Sequence, residues 1–247
     1  MRKNVWLTVF ILLLVATAIF FTTKTREDAQ VKTTMSHLIE TDSSESIPDV
    51  LTVKDANGKS LDLAIKDIPV YNNYLKEQED IKAEIERTQL EVLHLPTQEH
   101  FILLKYNCGN KQCSTILVKK SDSKITSIAL ADGIFQDYKI SPENDELLLR
   151  YGYNEGGELV RHILIAVDLL KMKIIPFEST QLAKEYMYTP TWPIVDYQWI
   201  ENNRFIIEAG DLESPEFEAV KNWYASNEKK TKKIEILLNR EKRLEMK

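Results

Sequence analysis

The sequence predicts a mainly β protein with a transmembrane helix at the N-terminus. The extracytoplasmic body that follows is predicted to consist of antiparallel β-meander repeats with one amphipathic α-helix. Three observations support this prediction: an uncharged apolar run begins at Val5, strand-like segments recur from about residue 90, and the only two cysteines, Cys108 and Cys113, bracket a polar turn between two such segments.

The N-terminal run, VWLTVFILLLVATAIFF at residues 5–21, follows Arg2 and Lys3. Its length is at the lower end of what spans a bilayer as a helix. The same pattern fits a signal peptide, with small residues at Ala16-Thr17-Ala18 as a cleavage site. Cleavage there would leave an apolar N-terminus. We therefore expect a signal anchor over residues 1–21 that holds a single-pass protein in the cell membrane with its body on the extracytoplasmic side; the alternative is cleavage and secretion.

Two further segments follow the leader. Residues 22–47 are polar and biased towards Ser, Thr, Asp and Glu, which predicts a stalk. Residues 48–247 are predicted to form a β-repeat domain. Its first part, residues 48–89, contains a hairpin signal at Asn57-Gly58. A single amphipathic helix is predicted over about residues 69–88, because apolar side chains recur there at spacings of three and four.

The rest of the chain divides into three related units, 90–130, 131–180 and 181–247. DYKISPENDELLLRYG at 137–152 aligns with DYQWIENNRFIIEAG at 196–210, and HLPTQEHFILLKY is a looser earlier copy. Each copy reads as strand, polar turn, strand, and is followed by another apolar strand and a charged turn. Self-similarity of this kind is typical of repeat architectures.

The repeated pattern resembles the blades of β-propeller proteins. The resemblance implies antiparallel meanders of about four strands each. Propellers usually close with four to eight blades, and three units are countable in this sequence. An open curved stack and an incomplete propeller covered by the helix are therefore both compatible with the pattern.

The spacing of Cys108 and Cys113 favours a disulfide. Thioredoxin-type redox motifs have two intervening residues at a helix N-terminus, whereas four residues separate this pair and strands flank it. A zinc site would need about four ligands, and the histidines of the body do not lie at ligand-like spacing. A disulfide requires an oxidising compartment, in agreement with export. The alternative is a pair of reduced, buried cysteines.

Charge and composition exclude several classes of function. The net charge is −6, the wrong sign for a protein that binds nucleic acid through its phosphate backbone. Only the stretch from Lys229 to the end is basic, which indicates a solvated strand pair and tail or contact with an anionic surface. No GxSxG motif is present and histidines are few. We therefore nominate no catalytic residue, no cofactor and no metal site.

The aromatic stretch EYMYTPTWPIVDYQW, residues 185–199, supplies candidate binding residues. Pro190 and Pro193 interrupt regular structure and place Trp192 on a loop, close to Tyr188. Aromatic side chains on a rigid loop suit a sugar or a peptide of a partner protein. The alternative is that they fill the seam between the second and third units.

A carboxylate-rich insertion supplies the other candidates, Asp211, Glu213 and Glu216. Paired carboxylates can hydrolyse glycosides or hold calcium when they lie close together. The simpler interpretation is a solvated loop that leads into a short helix capped by Ser214-Pro215. That helix is predicted to bury Phe217, Val220 and Trp223.

These observations favour a membrane-anchored, extracytoplasmic, non-catalytic interaction module whose partner is a protein or an envelope polymer. The alternative is a cell-envelope hydrolase that uses loop carboxylates on the propeller-like scaffold. Carboxylates with raised pKa values in a cleft would favour the hydrolase. A flat apolar or aromatic patch would favour the interaction module.

Overall fold

The computed structural model describes residues 47–122, 124–156 and 158–241. The predicted anchor, residues 1–21, and all of the predicted stalk except its last residue lie outside these ranges. No helix within the described ranges is long and apolar enough to cross a membrane.

The described body is mainly β, as predicted, and its strands form four antiparallel sheets. The N-terminal hairpin is β1 (Val50–Lys54) and β2 (Ser60–Ala64). The first sheet contains β3 (Gln89–Leu93), β4 (His100–Tyr106), β5 (Ser114–Lys120) and β6 (Ile125–Ala129). The second contains β7 (Ile134–Ile140), β8 (Glu146–Gly156), β9 (Leu159–Asp168) and β10 (Lys173–Ile175). The third contains β11 (Ile194–Glu201), β12 (Arg204–Gly210) and β13 (Thr231–Leu237).

Short helices connect these sheets. A 3-10 turn (Ile65–Asp67), α1 (Pro69–Lys76) and α2 (Ile81–Arg87) lie between the hairpin and the first sheet. Between the second and third sheets, α3 (Thr180–Ala183) continues as a π-helical turn (Lys184–Tyr188). Within the third sheet, α4 (Phe217–Ala225) joins β12 to β13.

Each of the three larger sheets is a meander in which strands adjacent in sequence pair with one another. Antiparallel meanders are therefore present, as the sequence predicts. The first two sheets have four strands each, and the third has three. In the third sheet no described strand pairs with β13 at the position that β6 and β10 occupy in the other two.

The sheets stack face to face in the order of the chain. In the first sheet, Ile102 and Leu104 pack against the hairpin and the two helices, whereas Phe101 and Leu103 join the core shared with the second and third sheets. The central strands of the second sheet, β8 and β9, are largely buried on both faces, which explains the unbroken apolar run Leu147–Leu149. The hairpin, α1 and α2 therefore cap one end of the stack, and the third sheet forms the other end.

The hairpin forms where the sequence predicts it, with a longer turn. Asp55 to Lys59 make a loop in which Asp55 Oδ1 accepts hydrogen bonds from the backbone N–H groups of Asn57 and Lys59, both at 2.9 Å. Gly58 has φ +78°, a left-handed conformation that glycine adopts without steric strain. The Asn-Gly signal therefore indicates the turn correctly, although the loop is wider than a two-residue turn.

The prediction of one continuous helix over residues 69–88 is wrong. The chain forms two helices, because α1 ends at Lys76 and α2 begins after Asp80. Asp80 Oδ1 accepts a hydrogen bond from the Ala83 N–H at 2.9 Å, so an N-cap starts a second helix inside the apolar periodicity. The Tyr74 hydroxyl donates to Glu84 across the break and holds the two helices together.

The predicted disulfide between Cys108 and Cys113 is present and closes the loop between β4 and β5. Cys113 also pairs through its backbone with Gly133, which leads into the second sheet. The bridge therefore restrains a loop that lies next to the junction of the first two sheets.

Replacing both cysteines, Cys108→Ser with Cys113→Ser, is expected to lower the free energy of unfolding by about 2 kcal/mol, because the open loop gains entropy in the unfolded chain. Urea unfolding of the full chain in detergent measures the change. Wild-type protein treated with reductant should show a similar loss. Equal stability of the oxidised, reduced and substituted proteins would contradict a stabilising role of the bridge.

Candidate functional site

The predicted binding residue Trp192 lies in the contact between the second and third sheets, which we call the seam. Its side chain is 9% exposed. The His162 N–H donates to the Trp192 carbonyl at 3.0 Å, and the indole Nε1–H donates to Glu185 Oε2 at 3.0 Å. Lys232 Nζ lies 5.4 Å from the centre of the indole ring. Trp192 thus joins three elements of the protein, whereas Tyr188 is 53% exposed.

A buried histidine crosses the same seam. His162 Nδ1 accepts a hydrogen bond from the Ile194 N–H at 2.9 Å. The pKa of His162 is lowered to about 4, mainly by burial and also by the Arg150 guanidinium, while Asp137 opposes the shift. The imidazole is therefore neutral at pH 7, which the accepting role of Nδ1 requires.

A charged network continues the seam towards β7. Arg150 Nε donates to Asp137 Oδ1 at 3.1 Å, and Arg150 Nη1 donates to the Ile194 carbonyl at 3.0 Å. The Tyr197 hydroxyl donates to the same Asp137 oxygen at 2.7 Å. Burial, together with the bond to Asp137, raises the pKa of Tyr197, which keeps the hydroxyl protonated.

The repeated Asp-Tyr pair explains how each sheet attaches to the one before it. Tyr138 and Tyr197 are equivalent in the sequence alignment of the units. The Tyr138 hydroxyl accepts from the His94 N–H of the first sheet's loop at 2.9 Å, and the Tyr197 hydroxyl reaches Asp137 of the second sheet. The repeat therefore encodes contacts between the sheets as well as the strands within them.

The three predicted carboxylates of the insertion, Asp211, Glu213 and Glu216, are exposed. No described residue forms an ion pair or hydrogen bond with any of their side-chain oxygens. Glu216 is the N-cap of α4, so the helix begins two residues later than the Ser214-Pro215 cap predicts.

Helix α4 buries part of its predicted apolar face. Val220 and Trp223 are buried, and the Trp223 indole donates to the Lys230 carbonyl at 2.6 Å. Phe217 is 45% exposed, so its predicted burial is wrong. It is the first residue of the helix, one turn before Val220.

A buried carboxylate that the sequence did not single out is Glu146, at the start of β8. It is 3% exposed, and Arg240 Nε lies 2.7 Å from its Oε1. Burial raises its pKa to about 7, with Asp145 and Asp168 contributing, while the bond to Arg240 opposes the shift. Arg240 follows β13, so this pair fastens the end of the third sheet to the second.

The outer side of the third sheet is uncovered by any described residue. Val195, Ile200 and Leu237 are 49%, 43% and 40% exposed. Charged residues lie beside Ile200 and Leu237: Arg204 lies 2.9 Å from Glu235 and 3.0 Å from Glu201. We call this surface the end face. It is the counterpart of the first-sheet face that the hairpin and helices cover.

Comparison of the chain with models of protein families, with curated proteins and with solved structures gave no match. Within the described ranges, no group of three or more His, Cys, Asp or Glu residues is arranged to hold a metal ion. The candidate site is therefore defined by geometry alone, and it consists of the end face and the adjoining edge of β13.

The stability of the contact between the second and third sheets should depend on pH through His162 and Glu146, which act in opposite directions. The folded pKa of His162, about 4, lies below its ordinary value of 6.5, so its contribution to stability is complete above pH 6.5 and is lost as pH falls towards 4. The folded pKa of Glu146, about 7, lies above its ordinary value of 4.5, so protonation stabilises the fold as pH falls from 7 to 4.5.

The variant Glu146→Gln is therefore expected to lose about 2–3 kcal/mol of stability between pH 6.5 and 4.5, more than the wild type loses. Adding His162→Gln should flatten that dependence. Urea unfolding across this pH range gives the free energies. A Glu146→Gln profile that matches the wild type would contradict the assignment.

Proposed function

We propose that this protein is a non-catalytic interaction module, anchored in a membrane by residues 5–21, with its body on the extracytoplasmic side. The partner is a protein or an envelope polymer that covers the end face. The observation that carries the proposal is the asymmetry of the stack. One end is closed by the hairpin and two helices, and the other end leaves apolar side chains of a sheet in solvent.

The exposed apolar side chains are energetically favourable contacts for a partner. Removing apolar surface from water contributes about 25 cal/mol per Å². Flat apolar surface ringed by charged residues is typical of protein interaction sites. The ion pairs of Arg204 with Glu201 and Glu235 lie beside Ile200 and Leu237. At the other end of β11, Asp196, which pairs with Lys139, follows Val195.

The disulfide supports an extracytoplasmic location for the body. Such bridges persist in oxidising compartments and are rare in the cytosol. The bridge between Cys108 and Cys113 and the apolar leader are separate features of the chain, and both favour export.

Interaction is favoured over hydrolysis by the environments of the acidic residues. A hydrolytic pair needs carboxylates held a few ångströms apart around the substrate. Asp211, Glu213 and Glu216 are exposed and have no described partner that would fix their positions. Glu146 has a raised pKa, but it is buried and paired with Arg240, which suits a structural contact.

Site-specific crosslinking in living cells tests the proposal. A photoreactive amino acid placed at Val195 or Leu237 is expected to form crosslinks to a partner, because both side chains lie on the end face. The matched control is Val70, which is 42% exposed on the capped end of the stack. It should form few crosslinks.

Crosslinking at Val70 as strong as at Val195 and Leu237, or none at the two end-face positions, would contradict the proposed surface. In the same cells, a membrane-impermeant lysine reagent is expected to label the body. A body that labels only after the membrane is disrupted would contradict the location.

A further inference from the structure

We infer that the free edge of β13 binds an extended, acidic segment of a partner protein, which adds to the third sheet as its fourth strand. This inference rests on the proposed function and names the class of partner. Four observations support it: the vacant strand position, the direction of the backbone groups of β13, the groove beside them and the charge of the adjoining lysines.

The position of a fourth strand is filled in the first two sheets. β6 pairs with the third strand of the first sheet, and β10 pairs with the third strand of the second. In the third sheet, β13 pairs with β12 over its full length, and no described strand lies on its other side. The repeat thus leaves one strand position open at the end of the stack.

The backbone of β13 presents unpaired groups at this edge. The Leu238 N–H donates to the Asn203 carbonyl, so the even-numbered residues of this strand bond to β12. In an antiparallel ladder the intervening residues point the opposite way. Thr231, Lys233 and Glu235 therefore direct their N–H and C=O groups to the open side. An unpaired strand edge of this kind is a template for another strand.

The chain itself starts to fill this position and then leaves it. The Glu178 N–H donates to the Leu237 carbonyl at 2.8 Å, and Phe177 forms an antiparallel bridge with Leu238. After Ser179 the chain turns into α3. An incoming strand would continue along β13 from the point where residues 177–178 turn away.

A groove lies at that point. It has a volume of about 340 Å³, and its lining combines apolar side chains with two carboxylates: Phe177, Glu178, Ser179, Leu182, Glu235, Ile236 and Leu237. In an extended peptide, alternate side chains point to the same side. One apolar side chain of the added strand can enter the groove while the peptide backbone bonds to β13.

The lysines at the start of β13, the end of the edge away from the groove, favour acidic residues in the part of the added strand that lies beside them. Lys229, Lys230, Lys232 and Lys233 lie within five residues, and no described carboxylate pairs with any of them. Lys229 and Lys232 lie over aromatic rings, with Nζ 5.7 Å from the centre of the Trp223 ring and 5.4 Å from that of Trp192. Opposite charges on paired strands stabilise a sheet.

The same charges disfavour two other occupants. Pairing β13 with β13 of a second copy in a register centred on Lys232 or Lys233 would bring the lysine clusters together, and like charges on facing strands destabilise a sheet. The chain's own residues 242–247, KRLEMK, carry three basic residues and one acidic residue. Their net charge has the same sign as the lysine cluster, so a segment of another protein is the better match.

Peptide binding to the full chain in detergent tests the inference. The probes are fluorescent decapeptides of alternating Val and Glu or alternating Val and Lys, used at concentrations too low for self-association. Fluorescence anisotropy is expected to show binding of the acidic peptide and weakening by salt. The double variant Lys230→Glu with Lys233→Glu should weaken binding about tenfold. The control, Lys59→Glu with Lys66→Glu, changes exposed lysines on the capped end and should have no effect.

A second pair of variants separates backbone pairing from charge. Lys233→Pro removes the outward N–H and leaves the bonds to β12, since proline is tolerated on edge strands where its nitrogen faces outward. Lys233→Ala removes the same charge but keeps the N–H. The proline variant is expected to bind the acidic peptide at least about tenfold more weakly than the alanine variant, with the melting temperatures of both measured alongside.

Equal binding of the acidic and basic peptides, no binding of the acidic peptide, or equal affinities of the proline and alanine variants would overturn the inference. Its failure is distinguishable from failure of the proposed function. Crosslinks at Val195 and Leu237 without acidic-peptide binding would leave the interaction module standing and remove the added strand. Peptide binding without crosslinks in cells would leave the added strand standing and remove the proposed interaction at the end face.

Discussion

The structure depends on the face-to-face burial of the second sheet between its two neighbours. Its central strands have no solvent-facing side, and the run Leu147–Leu149 is fully buried. Every other sheet gains its apolar contacts from this one or from the first sheet. The polar groups of the seam, with His162, Asp137 and Trp192 at their centre, then fix how the third sheet is placed. Apolar packing thus determines which sheets are neighbours, and the hydrogen bonds of the seam determine how the third sheet is positioned.

An open stack has two ends, and the described residues of this chain cover only one of them. The hairpin and two helices cover one end with apolar residues such as Leu63, Tyr71 and Leu75, all fully buried. At the other end the third sheet has one strand fewer and keeps exposed apolar side chains. Edge strands and open faces are sites where other chains pair, and soluble proteins commonly protect them. The lysine cluster beside β13 disfavours registers of self-pairing that align the lysines, and it permits an acidic partner.

The sequence predicts the sheets well because the repeat carries both strand periodicity and turn chemistry. The disulfide followed from the spacing of the cysteines and their flanking strands. The break in the N-terminal helix was missed because α1 and α2 present one shared apolar periodicity, and only the Asp80 cap interrupts it. Glu146 and His162 could not be assigned roles, since their partners, Arg240 and Ile194, are distant in sequence. The predicted binding roles of Tyr188, Trp192 and the loop carboxylates stay predictions. The open edge of β13 could not be predicted, because it becomes apparent only when the pairing of the strands in the structure is known.

Hydrogen exchange at β13 tests most directly whether the open end of the stack is an interaction surface. The measurement compares amide exchange in purified protein with that in native membrane vesicles, using peptides that cover residues 231–237 and, as an internal reference, residues 50–64. Occupation of the edge predicts slower exchange of the Thr231, Lys233 and Glu235 amides in the vesicles, with unchanged exchange in the hairpin. Identical exchange of residues 231–237 in both preparations would contradict the account.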